Sequence, residues 1–305
     1  MPVEMMNTRE VAAYLGIHEK QVYALVRKGH IPCTRVTGRW IFPRRLIDMW
    51  IYANAVEGVS DERIKSTLSQ GELRAAGSND PVLDILLAMT RKIHEDFRVF
   101  SLTTGSSEGL KLLGERRVDI AWCHLFDPQS GEYTIPYVMR LLPGRQLAVV
   151  HLFSRELGLL SAPKLDHPVA SFTDLVRPDV RFINRQRGSG TRVLLDHRLE
   201  AEGVSPGSIN GYEREVLTHI EVGLSIFSDE SNAGFATVAV ARLFSLHFVP
   251  IVRESFDMVI AKEVFFRQEV QDFIETLKSP DFRARVAPLG AYDFTDAGRI
   301  LHSSS

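Results

Sequence analysis

Three short segments of this 305-residue chain carry glycines, hydroxyls and amides in a pattern that can surround a small anion. The richest is Asn184-Arg185-Gln186-Arg187-Gly188-Ser189-Gly190-Thr191-Arg192, which follows an apolar strand-like run and opens a helical stretch from Val193 to Ala201. Gly188 and Gly190 let the backbone approach a ligand closely, and Ser189 and Thr191 offer hydroxyls. The free amides at a helix start point outward, where the helix dipole favours negative charge. Arg187 and Arg192 add positive charge and forked donors. The segment is neither a Walker loop nor a dinucleotide fingerprint, because no Gly-Lys-Ser/Thr and no third glycine follow at the required spacing. Taken alone it reads equally as an anion cradle and as a plain strand-to-helix turn with a serine cap. Two further loops shift that balance: Gly77-Ser78-Asn79-Asp80 and Gly105-Ser106-Ser107-Glu108-Gly109 each follow a strand and precede a helix. In α/β lobes such loops converge on one crevice at the carboxyl ends of the strands. Thr218-His219, at another helix start, and His124, just beyond a strand, are expected to border the same cleft, although a lone histidine reads equally as structural.

The second constellation lies in the first 50 residues and has the chemistry of a nucleic-acid reader. Eight basic and four acidic residues give this stretch a charge of +4, against −6 for the remainder and −2 overall. A small basic head on an acidic body is the asymmetry expected when only one end approaches phosphates. The outer face of a helix over 19–28 carries Lys20, Gln21, Ala24 and Arg27, with Tyr23 beside it and His18 at its start. Lys20 and Arg27 suit phosphates or guanine, Gln21 suits adenine, and Tyr23 can donate to a phosphate. Thr8, at the start of the preceding helix, and Arg39, at a hairpin tip, complete the DNA-facing set. The bland alternative is a solvated basic face on a protein-interaction domain. Trp40, Phe42 and Trp50 are expected in the core rather than stacked on bases.

These residues need elements to position them. Thr8 is expected to cap a helix over 9–15 ended by Gly16, followed by the second helix with Val22, Leu25 and Val26 inward and Gly29 closing it. Thr34-Arg35-Val36 and Arg39-Trp40-Ile41-Phe42 flank Thr37-Gly38 as a hairpin. Pro43 opens a third helix over 44–54, with Leu46, Ile47 and Trp50 inward. Helix, tight turn, helix, wing, helix is a winged helix-turn-helix. Residues 56–72 read as a linker, or as a connecting helix with its C-terminus near Gly71. From 73 on, short apolar strands (73–76, 97–102, 118–123, 146–153, 180–183, 234–237, 248–251 and 256–260) alternate with helices such as 81–93 and 108–115. That alternation predicts mostly parallel sheets flanked by helices, and some 230 residues of it predicts two lobes with a cleft.

Composition sets the outer bounds. Hydrophobic residues at 45% and charged residues at 24% are ordinary for a globular protein and exclude disorder, collagen and a disulfide scaffold. No apolar run approaches the roughly 20 residues of a membrane span. The first residues lack the basic segment and apolar core of a secretory signal, and the two cysteines, Cys33 and Cys123, suit a reducing compartment. A cytoplasmic protein without membrane contact is expected.

Thr8-Arg9-Glu10-Val11-Ala12, Tyr14-Leu15-Gly16-Ile17, Val22-Tyr23, Gly29-His30-Ile31-Pro32 and Gly38-Arg39-Trp40 together resemble the excisionase-type helix-turn-helix, a group related to the MerR winged helices. Such modules bind DNA in recombination factors and in transcription regulators. The body resembles the periplasmic-binding-protein-like domain of one-component regulators, similar to molybdate- and tungstate-binding proteins. The residues carrying that likeness are Ala76-Gly77-Ser78, Gly105 to Leu110, His124 to Asp127 with Gly131-Glu132-Tyr133, Arg155 to Leu159, Asn184 to Arg192 with Leu194-Leu195-Asp196, and Gly211 to Glu215 with Thr218-His219. The resemblance implies an α/β chain with an N-terminal winged helix-turn-helix over 1–55 and a two-lobe Venus-flytrap domain over 73–305. Lobe I would comprise 73–154 and 251–305, and lobe II 155–250. It further implies that Ser78, Ser106 or Ser107, Ser189, Gly190 and Thr191 contact the anion. Ser78-Asn79 replaces a common Ser-His pair, and Ser228 to Gly234 replaces a Gly- and Ala-rich stretch, so the sequence specifies the fold more closely than the ligand.

The resulting expectation is a one-component transcriptional regulator: a homodimer on operator DNA, with molybdate or tungstate as effector and no cofactor or metal. Genes for transport or use of the anion are the expected targets. The same architecture could instead sense sulfate, phosphate or an organic acid. Two other classes compete. An enzyme acting on a phosphorylated or carboxylated metabolite lacks a nucleophile elbow at Ser189 and any His-Glu-x-x-His or Cys-x-x-Cys metal motif. A recombination or architectural factor would be indifferent to small anions.

Overall fold

The computed structural model describes residues 5–28, 31–36, 38–44, 46–48, 50–51, 72–290 and 292–304. The chain divides into two compact units, Met1–Gln70 and Gly71–Ser305. In the first, α1 (Thr8–Leu15) and α2 (Glu19–Arg27) are followed by described helical residues of α3 at 44, 46–48, 50 and 51. The cap of α1 is Asn7, not Thr8. The Asn7 Oδ1 accepts from the amides of Arg9 and Glu10 at 2.9 and 3.0 Å, and the Glu10 carboxylate accepts from the Asn7 amide at 2.8 Å. This closed capping box pushes Thr8 into the first turn. Gly16, at φ +66°, ends the helix in the left-handed region as the sequence suggests. Strands β1 (Met5–Met6), β2 (Thr34–Val36) and β3 (Arg39–Pro43) form a sheet in the order β1-β3-β2. β1 is too short to show a period and escapes sequence reading. Val11, Val22, Phe42 and Ile47 are fully buried, each worth roughly 1.5–3 kcal/mol. Leu46, expected inward, is 46% exposed. The expected closure at Gly29, the end of α3 beyond 51 and the linker over 56–72 lie outside the described residues, save that Glu72 opens a strand.

The second unit is an α/β domain on one ten-stranded sheet. Its elements in chain order are β4 (Glu72–Gly77), α4 (Pro81–Ile93), β5 (Arg98–Thr103), α5 (Ser106–Gly114), β6 (Ile120–Cys123), α6 (Ile135–Leu141) and β7 (Leu147–Ser161). Then come β8 (Phe182–Arg185), α7 (Gly190–Ala201), β9 (Glu215–Val216), α8 (His219–Phe227), β10 (Ala233–Thr237), α9 (Val238–Leu243) and β11 (His247–Ala261). The chain finishes with α10 (Lys262–Phe265), α11 (Gln268–Lys278), α12 (Pro280–Val286), β12 (Tyr292–Asp293) and β13 (Ile300–Ser303). Strand order is β5-β4-β6-β11-β7-β10-β8-β9, with β12 and β13 also on β7. The two ends of the sheet are parallel, as alternation predicts, but β6, β11, β7 and β10 pair antiparallel.

The two strands expected over 248–251 and 256–260 are one strand, β11, interrupted by register shifts at Pro250/Val252 and Phe256/Asp257. β7 likewise runs eight residues past the expected end at 153. The charged stretch Ser154-Arg155-Glu156 and the bulges break the apolar pattern, so one strand reads as two. The two 15-residue strands carry the sheet through both lobes. Lobe I holds one core on each face of its half-sheet: Leu73, Trp122, Val150 and Met258 on one side, Ala121, Cys123, Val149 and Val259 on the other. Lobe II repeats the plan, with Leu159, Phe182 and Phe235 packed on α7, and Leu160, Ile183 and Ala236 packed on α8 and α9. No helix among the described residues is long and apolar enough to cross a membrane.

Candidate functional site

Where lobe I meets lobe II, the loops after β4, β5 and β8 come together with the start of α8 around a buried polar cluster. Ser78, from the first loop, places its Oγ 2.7 Å from His124 Nε2. Ser106 opens α5, and its Oγ accepts from the His124 amide at 3.3 Å. On the lobe II side, Ser189 caps α7, its Oγ accepting from the Arg192 amide at 3.2 Å. Thr191 Oγ1 lies 3.5 Å from His219 Nε2. The Ser107 amide donates to the Gly188 carbonyl at 3.4 Å, a direct link between the lobes. Ser78, Ser106, His124, Ser189, Thr191 and His219 are each at most 2% exposed. Gly190 must be glycine for contact reasons: a Cβ there would stand 2.6 Å from both His124 Nδ1 and the His124 carbonyl oxygen.

Four charged or polar groups that sequence reasoning did not assign complete the cluster. Arg155 on β7 is fully buried; its Nε donates to Glu254 Oε1 at 2.7 Å, its Nη1 pairs with Asp80, and its Nη2 lies 3.4 Å from His219 Nε2. Tyr292 donates to Asp80 at 3.1 Å, and Glu254 Oε2 lies 3.2 Å from His124 Nδ1. Burial alone would raise the Glu254 carboxyl, but His124 and Arg155 hold it down at about 2. Burial also works against the Arg155 guanidinium, and Glu254 and Asp80 override it, keeping Arg155 charged.

Arg185, the last residue of β8, differs in kind. It is 1% exposed; its Nη2 donates to the Leu217 carbonyl at 2.7 Å, while its Nε and Nη1 have no hydrogen-bond partner among the described residues. Burial, reinforced by the nearby charge of Arg155, pulls it down to about 9. An unpaired buried guanidinium is costly unless something negative joins it. His219 Nδ1 is also buried without a partner among the described residues. Burial pushes His124 below its ordinary value, with Glu254 opposing, and pushes His219 well below it, with Arg185 and Arg155 assisting.

Other expected ligand residues stand apart from this cluster. The Arg187 side chain is 73% exposed and bonds Glu213 at 3.1 Å. Arg192 is buried, but its guanidinium is taken by Asp196, Glu215 and the Arg185 carbonyl while it lies over the Tyr212 ring. The structure thus gives both arginines carboxylate partners of their own, whereas Arg185, two residues before Arg187, has no hydrogen-bonded carboxylate among the described residues. The Asn79 amide bonds Asp84, Thr218 caps α8 through Glu221, and Ser107 is half-buried at the lobe junction. Arg155, Arg185 and Glu254 escaped the sequence reading because each falls just outside a strand expected at 146–153, 180–183 or 248–251, and only the longer strands of the structure show them as charges buried in the sheet.

In the head, α2 buries Val22 and exposes Lys20, Gln21 and Tyr23, with Arg27 at its last turn, while Arg39 is exposed on β3. His18 caps α2, and the Gln21 Oε1 accepts from the His18 amide at 3.0 Å, leaving its NH2 group as the donor available outward. Phe42 lies in the core, and Trp40 is half-buried beneath Arg35.

Comparison with known proteins agrees with this division. Residues 87–278 match the PBP superfamily domain, and residues 5–55 match a helix-turn-helix domain. The chain is 28% identical to the uncharacterised protein YvgK of Bacillus subtilis (strain 168) over 299 residues, 96% of each chain. Among solved structures it resembles a protein described as a phosphate ABC transporter substrate-binding protein with bound phosphate, from Clostridium perfringens. The TM-score is 0.55 at 15% identity, over 72% of this chain and 97% of that one. It also resembles a cysteine-to-serine mutant of Corynebacterium glutamicum OxyR in its H2O2-bound form, with a TM-score of 0.52 at 13% identity over 93% and 90% of the two chains. At these identities the likeness is one of fold.

Proposed function

The chain belongs to the PBP superfamily and opens with a helix-turn-helix domain, and from that premise we propose that it is a DNA-binding transcriptional regulator whose larger unit senses a small oxyanion between its lobes. The observation that carries the ligand class is Arg185, buried with two nitrogens that have no partner among the described residues, in the loop that runs on to Ser189 and Thr191 at the start of α7. Its charge acts on His124 and His219, the rings that Ser78, Ser106 and Thr191 contact. Hydroxyls, helix-start amides and an uncommitted guanidinium suit a compact tetrahedral anion. Molybdate or tungstate is the leading effector, with sulfate, phosphate and organic acids as the alternatives. The exposed residues of α2, with Arg39, are assigned to operator DNA, and a homodimer on a two-part site supplies the affinity a single small head lacks.

The arrangement supports recognition rather than turnover, since binding to a closed form of the lobes is enough to shift a two-state equilibrium. Thermal-shift and calorimetric titration of the full chain with molybdate, tungstate, sulfate, phosphate and acetate tests this reading. Molybdate or tungstate should raise the melting temperature, and the double substitution Ser189→Ala/Thr191→Ala should abolish the rise while operator binding persists. Indifference to every anion refutes it.

A further inference from the structure

The hydrogen-bond directions in the buried cluster can be read from the groups that have no choice. Arg155 can only donate, so His219 Nε2, 3.4 Å from its Nη2, is the lone-pair nitrogen; neutral His219 therefore carries its proton on Nδ1, which has no partner among the described residues. The ionised Glu254 can only accept, so His124 donates through Nδ1. A neutral His124 then has only a lone pair on Nε2, and it accepts from the Ser78 hydroxyl at 2.7 Å. The single hydroxyl hydrogen of Ser78 is thereby committed, and Ser78 turns only lone pairs toward an arriving anion. A proton on His124 reverses this. Nε2 then donates to Ser78 Oγ, and the hydroxyl hydrogen is released as a donor.

Charge makes the same demand. Arg155 and Arg185 are balanced by Asp80 and Glu254, all four at most 1% exposed. A doubly charged guest would leave the cluster strongly negative in a low dielectric, which raises the proton affinity of the nearest imidazole. His124 is suited to that proton and His219 is not, because His124 Nε2 faces the Ser78 oxygen, which can accept, whereas His219 Nε2 faces the guanidinium of Arg155, which can only donate. Glu254 on β11 lies at His124 Nδ1 and Ser78 at its Nε2. Arg155 on β7 and Arg185 on β8 face it electrostatically, His219 on α8 lies 6.4 Å away ring to ring, and Phe256 stacks on it.

We propose, building on the oxyanion reading above, that the site takes a fully ionised tetrahedral dianion together with one proton, which lands on His124 and turns Ser78 from acceptor into donor. The guest should bring no proton of its own, because the two buried carboxylates are already engaged. Glu254 is engaged through both oxygens, and Asp80 accepts from Val82, Tyr292 and Arg155. Molybdate, tungstate and sulfate meet this condition, whereas phosphate near neutral pH is largely protonated.

Calorimetric titration of the full chain with sodium molybdate at pH 7.5, in PIPES, HEPES and Tris, reads proton uptake from the dependence of the observed heat on the buffer. About one proton per bound anion is expected, with apparent affinity falling by up to about tenfold per pH unit between pH 7 and 8, below the range where Arg185 loses its charge. The sign follows from a His124 that is neutral in the free site and protonated in the bound one. His124→Gln should bind more weakly and lose the buffer dependence, and His219→Gln should keep it. Should His124→Gln not fold, Ser78→Ala serves instead, since without the Ser78 oxygen the new proton on Nε2 has no acceptor and uptake should drop towards zero.

Molybdate binding with no proton uptake overturns this inference and leaves the oxyanion reading intact. Uptake that survives His124→Gln, or phosphate binding as tight as molybdate, also overturns it. Failure of every oxyanion to bind removes both.

Discussion

Arg185 is placed where stability alone would not put it, since a buried cation with two nitrogens lacking a partner among the described residues costs free energy. Replacing it with methionine should therefore separate stability from binding. Arg185→Met is expected to stabilise the free protein by about 1–3 kcal/mol in urea titrations and to abolish the oxyanion-induced melting shift. Glu254 has the opposite character. Its folded value near 2 lies below the ordinary 4.5, so its contribution is present above about pH 4.5 and is lost as pH falls toward 2. Melting curves should show this acid-side loss in the native chain and a much smaller one in Glu254→Gln, which should itself be less stable at pH 7. The hydroxyl loops were legible because glycine and serine before a helix form a local pattern. The ion pairs were not, because Arg155 and Glu254 stand 99 residues apart and meet only through strand register. Arg187 and Arg192 misled because a basic residue near a ligand loop looks like a ligand until its own carboxylate is seen.

At the scale of elements, the start of α7 wedges against the end of β6 through Gly190 and His124. Gly190→Ala forces a Cβ onto ring and backbone atoms at 2.6 Å, a clash relieved only by moving α7 away. A loss of about 1–3 kcal/mol is expected, read by urea denaturation, with anion affinity falling in parallel. Helices such as α2, α4 and α7 were readable because their apolar spacing, caps and breakers are all local. β7 and β11 were not readable as single strands, since a buried ion pair and two bulges interrupt their apolar runs. β1, two residues long, is defined only by pairing with β3, which no local pattern announces.

For the whole molecule, sensing is a coupling between two sites, and coupling is reciprocal. Operator affinity should change by about 5- to 150-fold on saturating molybdate, and operator DNA should shift molybdate affinity by the same factor. Paired fluorescence-anisotropy and calorimetric titrations would detect any mismatch. In the head, Lys20→Ala or Arg27→Ala should weaken operator binding and reduce the salt dependence by roughly one counterion per lost phosphate contact, with anion affinity unchanged.

The antiparallel ribbon of β7 and β11 has an evolutionary corollary. The chain leaves lobe I along one strand and returns along its neighbour, with Arg155 opposite Glu254 at the crossing. Lobe II is thus a single excursion whose entrance and exit lie side by side. A recombination event cutting at those two facing positions could exchange the whole excursion for that of a relative and leave every contact within lobe I undisturbed. Arg155, Glu254 and Asp80 would stay behind, whereas Arg185 and His219 would travel with the graft. Such chimeras would keep a common buried charge frame and inherit a new partner for the guest.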